Sequence, residues 1–382
     1  MKQSTDRILT THTGSLPRAP GMLGLLVEEQ QARLSERSQL EDSVRAAVRD
    51  VYNQQVEMGL DVVNDGEQGR VDYTVYVKDR LTGYEGENVP LGGMTSDEEF
   101  PELAELLKPF ASPFQVRPMC VGPIDWMDWP AVEADIENLR AASSGAGAEE
   151  VFMTSPSPGQ ISRFLHNDYY PSDEAYIYAL ADAMKRQYNA IHEAGFLLQL
   201  DCPDLALGRH QLFSHLTLEE FRAVAEMHVE ALNYSVADIP ADRMRMHICW
   251  GSTLGPHHTD VPIIDVIDIV LKAKPCAVAF PGANPRHEHE WKVWRDSIKL
   301  PEGKVIIPGV IDSTSNFVEH PEVVCDRIVR YAGVVGRENL IAGADCGFGT
   351  FAGRLQVDSK IVWMKLASLV EGARMASEQL WD

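Results

Sequence analysis

His247 and Cys249 stand two residues apart near the middle of the chain, and Cys346 follows far downstream inside Asp-Cys-Gly. A two-residue spacing on a strand sends both side chains to the same side. One imidazole and two thiols around an open position are the ligand set of a catalytic zinc site. Two thiolates cancel the charge of Zn2+, which makes a poor generator of hydroxide. An incoming thiol can nevertheless lose its proton there and stay electron-rich, so the set suits alkylation of sulfur better than hydrolysis. Taken alone, His-x-Cys is more often a buried thiol beside a satisfied histidine. A third ligand at a second strand end shifts the reading toward metal. Cys120, Cys276 and Cys325 lie within element bodies, where cysteine behaves as a small hydrophobe; beside Cys202, the stronger candidates are Asp201 and Asp204.

Positioning such a trio requires a scaffold whose strand ends converge. Short β-branched or apolar runs predict strands near 8–13, 61–65, 149–154, 196–201, 243–249, 276–281, 304–309 and 339–344. Helical periodicity fills intervals between them, as from Gln39 to Met58, Asp173 to Ala194, Leu218 to Val236, Pro321 to Tyr331 and Asp358 to Gln379. Eight strands alternating with helices favour an α/β fold of the (β/α)8 TIM-barrel type over an open sheet. Residues 1–382 then form a single catalytic domain, with 71–148 too long for one crossover. That stretch is expected to be an insertion or lid over the barrel mouth, with a small β-element around Gln115 to Val121. Polar clusters end most of the predicted strands, where barrel active sites assemble. They include Thr-His-Thr-Gly-Ser (11–15), Asn-Asp-Gly-Glu (64–67), Asp-Cys-Pro-Asp (201–204), Ile-Asp-Ser-Thr-Ser (311–315) and Ala-Asp-Cys-Gly (344–347).

Bulk composition narrows the partners. A chain of 382 residues, 45% apolar and 24% charged, has ample material for a core. Fifty-seven acidic against 34 basic residues give a formal charge of -23, which opposes binding to nucleic acid and to anionic membranes. The start lacks the apolar stretch of a secretory signal, and no segment has the roughly 18 consecutive apolar residues of a membrane span. A cytoplasmic location is expected, where cysteines stay as thiols. Homo-oligomerisation is left open, and Arg286 to Glu290 read as a solvated charged face.

With these motifs in view, the chain resembles the cobalamin-independent methionine synthases, through their C-terminal catalytic barrel. The resemblance rests on Leu-Thr-Thr-His-Thr-Gly-Ser-Leu-Pro-Arg (9–18), Asp-Gly-Glu (65–67), Leu-Gln-Leu-Asp (198–201), His-Ile-Cys (247–249), Pro-Gly-Val-Ile-Asp (308–312) and Ala-Asp-Cys-Gly (344–347). It covers nearly the whole chain. The length, with 284–291 and 316–322, is similar to the short branch of core-type methionine synthases and epoxyalkane:coenzyme M transferases. The resemblance implies Zn2+ on His247, Cys249 and Cys346, amides around Gly14 and Ser15 receiving the anionic end of a thiol substrate, and Glu67 and Asp201 holding its amino group.

Three departures qualify what the resemblance implies. Pro281 stands where the family commonly supplies a glutamate ligand, Thr314 replaces the histidine that donates a proton to folate, and 154–159 lacks the tryptophan that packs on the pterin. Threonine is no acid near pH 7. The expected function is therefore transfer of an alkyl group, methyl first, from a donor other than methylfolate to a small thiol such as homocysteine. A corrinoid or corrinoid protein is a candidate donor. His12 and Asp312 are the candidate catalytic side chains. The alternative is ring opening of an epoxide by coenzyme M, with His12, Tyr73 or Tyr76 as acid and Arg18 or Arg70 facing the sulfonate. A zinc-containing delivery protein without turnover, and a metal-free decarboxylase on a related barrel, are the readings from other classes.

Overall fold

The structure, a computed structural model, describes residues 1–30, 33–34, 36–86, 95–107, 117–145, 147–353 and 356–382. Ten strands occur among them: β1 (Leu9–Thr10), β2 (Val62–Val63), β3 (Tyr84–Glu85), β4 (Met119–Cys120), β5 (Glu150–Pro156), β6 (Leu197–Asp201), β7 (Met244–His247), β8 (Ala277–Phe280), β9 (Val305–Ile311) and β10 (Ile341–Ala344). Eight pair in parallel in the order β1-β10-β9-β8-β7-β6-β5-β2. A parallel bridge between Thr11 and Val62 joins the two ends, so the sheet is a barrel. All eight expected runs land on these strands. Runs such as Ala-Val-Ala-Phe in β8 are apolar on both faces because helices cover the outside and side chains fill the inside.

The helices start where local chemistry tells them to. Thr217 and Glu220 form a reciprocal capping box ahead of Leu218–Ser235, and the Ser172 hydroxyl caps Asp173–Glu193. At the end of β5, Ser157 Oγ accepts the Gln160 amide at 3.0 Å and Pro158 pre-sets the first turn, so the helix Pro158–Phe164 begins directly at the barrel rim. No helix among the described residues is long and apolar enough to cross a membrane.

The excursion after β2 contributes the antiparallel pair β3–β4, with Tyr84 opposite Cys120. Gln115 and Val116, the start of the β-element expected there, and Leu91 to Met94 lie outside the described residues. The barrel interior is partly polar: Arg245, 1% exposed, bonds Thr11 Oγ1 and the His12 carbonyl at 2.9 Å each and lies 4.3 Å from the Phe152 ring. Register fixes the rim above it. Asp201 of β6 pairs with His247 of β7, and His247 with Ala279 of β8, so the chemistry-bearing ends are level.

Candidate metal centre and its two chambers

Cys249 and Cys346 lie 3.6 Å apart, sulfur to sulfur. With one nitrogen of His247 they form the one His/Cys/Asp/Glu cluster among the described residues whose ligand atoms fall within 4.8 Å of one another. Two thiolates about 2.3 Å from a tetrahedral zinc stand about 3.8 Å apart, so this spacing fits a shared ion. Neither ring nitrogen of His247 has a hydrogen-bond partner, although the residue is buried. Such an orphan is costly unless something else ligates it. The Cys249 thiol donates to Cys346, which pushes Cys346 well below the ordinary thiol range, with His247 adding to the effect against burial. The same bond, together with burial, pushes Cys249 up. The Gly251 amide donates to Cys249 Sγ at 3.1 Å. These residues fit zinc.

Two cavities meet at the cluster, and both are lined by Cys249 and Cys346. The first, about 180 Å³, is lined among others by Ser15, Glu67, Asp201 and His247 and by Tyr73, Arg117, Arg163 and Phe164. The second, about 310 Å³, includes Pro281, Asn284, His287, Asp312 and Thr314.

Glu67 is 2% exposed and held at φ +55°, in the left-handed region. Asx bonds from Gly66 N to Asn64 (2.8 Å) and from Glu67 N to Asp65 (3.0 Å) fix this uncommon backbone. Its Oε1 accepts the Thr154 hydroxyl at 2.9 Å, and its Oε2 is buried without a partner. Burial pushes Glu67 up to about 7. Asp201 is raised well above the carboxylate range by burial and by Glu67, while Gln199 Nε2 donates to its Oδ1 at 2.8 Å. Two carboxyls facing one cavity, each costly to ionise, are poised to become charged when a cation enters.

The other expected site residues are distributed unevenly. Ser15 lines the first chamber, and no protein group among the described residues accepts its amide hydrogen. Gly14 packs beneath Glu67, where a Cβ would stand 2.7 Å from Oε1, but its amide is spent on His12 Nδ1 at 3.2 Å. His12 lines neither chamber. Its Nε2 is held by Gln55 Oε1 at 2.7 Å while its Nδ1 accepts the Gly14 amide, and burial lowers it to about 4, which favours the neutral ring. Asp312 lines the second chamber with both oxygens engaged, Oδ1 by the Thr314 amide and hydroxyl and Oδ2 by the Ser315 amide. Against burial, those bonds hold it below the usual carboxylate range and tie it to the turn at 312–315.

Some expectations do not survive the geometry. Asp204 is locked between Ser157 Oγ (3.0 Å) and His228 Nδ1 (2.8 Å) and does not line either chamber. Arg18 is consumed by the carbonyls of Arg70 and Gly349, and Arg70 by Thr154 and the Tyr76 ring; neither faces a chamber. Residues 286–290 are a solvated face only in part: Arg286 and His289 are exposed, whereas His287 and Glu290 are 3% and 4% exposed. His287 bridges Asp260 (2.9 Å) and Glu290 (2.8 Å) beneath Trp250, and those carboxylates, overcoming burial, raise it to about 9.

Sequence reading passed over Asp345, which gathers the amides of Gly282, Ala283 and Asn284 at 2.8 Å each. It thereby fixes the loop at Pro281 beside Cys346. Its position directly before a ligand cysteine was the available sign. Arg163 was missed as well, although it lies one helical turn beyond Gly159 at a strand end.

The fold and the site define a parallel α/β barrel with a candidate soft-ligand metal centre at its strand ends. Comparison with known proteins refines that class. A family described as the cobalamin-independent synthase catalytic domain matches residues 8–151, the part that carries Glu67 but precedes the cluster. A methionine synthase of Saccharolobus solfataricus is 24% identical over 374 residues, covering 97% of this chain and 95% of its own. One from Sulfurisphaera tokodaii is 22% identical, covering 97% and 93%. Among solved structures, a B12-independent methionine synthase from Shewanella sp. W3-18-1 in complex with selenomethionine superposes with a TM-score of 0.74 at 18% identity, covering 98% of this chain and 99% of that one. A putative vitamin-B12 independent methionine synthase from Listeria monocytogenes gives 0.63 at 21%, covering 97% and 98%. Residues 8–151 are thus similar to the cobalamin-independent synthase catalytic domain, and nearly the whole chain is similar to full-length proteins named methionine synthase.

Proposed function

We propose that this protein catalyses the zinc-dependent transfer of an alkyl group, methyl in its leading form, to a small amino-acid thiol such as homocysteine. The observation that carries the reading is the meeting of the His247–Cys249–Cys346 cluster with a chamber that presents Glu67 and Asp201. Full-length relatives named methionine synthase support it. Zinc held by one imidazole and two thiolates would lower the pKa of an added thiol while leaving its sulfur electron-rich.

The chain's own residues do the rest. Glu67 and Asp201 take the substrate ammonium, and the Ser15 amide offers a hydrogen to its carboxylate. These two anchors aim the thiol sulfur at the cluster, and orientation of that kind is worth several kcal/mol of barrier. The sulfur then takes the alkyl carbon; the carbon–donor bond breaks with its electron pair leaving on the donor, and the thiol proton goes to solvent. Thr314 has no proton to deliver near neutrality. A donor whose leaving group needs none, such as a methylcorrinoid, suits this site better than a methylfolate.

The test pairs metal analysis with turnover of homocysteine plus methylcobalamin against coenzyme M plus epoxypropane. Methionine formation that disappears in Cys249→Ser supports the proposal. Thioether formation only from coenzyme M would replace it with the epoxide reaction, and one-to-one binding without turnover would replace it with a delivery role.

A further inference from the structure

We propose that the first chamber contains an anion site centred on Arg163, so that one of the two substrates docks a carboxylate, phosphate or sulfonate there. Arg163 is 1% exposed and lines the chamber. Its Nε donates to Gln160 Oε1 at 3.1 Å and its Nη1 to Gln211, both neutral acceptors. Its Nη2 is buried with no hydrogen-bond partner, and the carboxylate that offsets its charge, Asp204, is itself engaged by Ser157 and His228.

A second cation shares the wall. Arg117 stands 4.9 Å from the Phe164 ring, and Arg163 stands 4.4 Å from the same ring. Burial, then mutual repulsion, lowers Arg117 to about 10; burial lowers Arg163 too. For Arg163, a buried guanidinium nitrogen with no hydrogen-bond partner is a costly arrangement for a fold to hold. Its retention on a chamber wall is explained by a visiting anion, and a planar guanidinium is the geometry that grips an oxyanion through two bonds. The carboxylates Glu67 and Asp201 line the same chamber, so it offers one subsite for an ammonium and another for an anion.

Attribution of the anion to the alkyl donor rests on the proposed function, in which Ser15 already receives the thiol's carboxylate; the site itself does not. Inorganic sulfate, 2-mercaptoethanesulfonate and 2-mercaptoethanol would be titrated by calorimetry into metal-loaded wild type, Arg163→Gln and Arg163→Lys, with and without saturating homocysteine. Sulfate affinity should fall at least about tenfold in Arg163→Gln and severalfold in Arg163→Lys, with homocysteine affinity held within about threefold. Arg163→Lys keeps the comparison alive should Arg163→Gln not fold. Sulfate that binds beside homocysteine assigns the anion to the donor. Sulfate displaced by 2-mercaptoethanesulfonate, whose advantage over 2-mercaptoethanol vanishes in the variants, assigns it to the thiol. Equal sulfate affinity in all three proteins, or none in wild type at millimolar concentration, overturns the site. Failure of homocysteine to bind would count against the thiol reading alone, because the thiol-free sulfate titration stands apart from it.

Discussion

Cys249 and Cys346, 97 positions apart in the chain, meet at 3.6 Å because β7 and β10 end at the same rim. Two thiols and an unbonded imidazole packed together repel once ionised unless a cation joins them. Purified protein should therefore carry about one zinc per chain, and Cys249→Ser or Cys346→Ser should weaken zinc binding by about a hundredfold or more. Chelation should also lower the melting temperature, since an ion present at a hundred times its Kd stabilises by about 2.7 kcal/mol. Elemental analysis beside calorimetry decides the matter: full zinc in both variants with unchanged melting would remove the centre.

Glu67 gives a pH dependence with a definite sign. Burial raises it to about 7, so it is largely protonated below that pH in the empty chamber and cannot balance an ammonium. Affinity for homocysteine should rise as pH increases through about 7, with proton release on binding. Glu67→Gln should flatten the profile and raise the KM for homocysteine roughly tenfold or more, a charged hydrogen bond being worth about 1.5–3 kcal/mol. A thiol without an amino group, 2-mercaptoethanol, should bind both proteins alike. An unaltered pH profile in Glu67→Gln would assign the ammonium elsewhere.

How much of this was legible follows from what kind of pattern each part leaves. All eight barrel strands could be read because burial on both faces writes continuous apolar runs, as in Ala277–Phe280. The His/Cys/Cys cluster could be read because His247 ends β7 with Cys249 two residues on, and Cys346 follows the end of β10. A histidine in a polar strand-end cluster looks available, and only the structure shows Gln55, from the helix Arg37–Met58 between β1 and β2, holding the Nε2 of His12. Arg163 and His287 were obscure for the converse reason. Charged residues are expected outside, and their burial depends on helices and loops brought together from distant segments. The long excursion left little periodicity to read, yet it supplies Arg117 to the chamber.

His287 links stability to alkaline pH. Asp260 and Glu290 raise it to about 9 from the ordinary 6.5, so its stabilising contribution is complete below about 6.5 and is lost as pH rises through about 9. The melting temperature should fall over that window. In His287→Gln the fall should largely disappear, with stability at pH 7 reduced by roughly 3–5 kcal/mol because two buried carboxylates lose their cation. Thermal melts at half-unit pH steps read both effects, and parallel curves for the two proteins would show that the pair carries no such charge.

Gly309 tests whether the loop at Pro281 is held by Asp345. A Cβ at position 309 would lie 2.0 Å from Asp345 Oδ1 and 2.6 Å from its backbone, so alanine cannot be accommodated without moving that residue. Oδ1 is the atom that accepts the Gly282 and Ala283 amides. Asp345 directly precedes Cys346, so its displacement shifts a ligand as well as a loop. Gly309→Ala should cost roughly 1–3 kcal/mol in stability by overpacking and weaken zinc binding about 10–100-fold by disturbing the support of a ligand. Gly303→Ala, at a glycine with open space around its Cβ position, controls for loss of glycine, its φ of +79° carrying a backbone cost but no contact with the site. Zinc affinity is the discriminating readout: a Gly309→Ala protein that loses stability while binding zinc as tightly as wild type would show that Asp345 supports the barrel rim without tuning the centre.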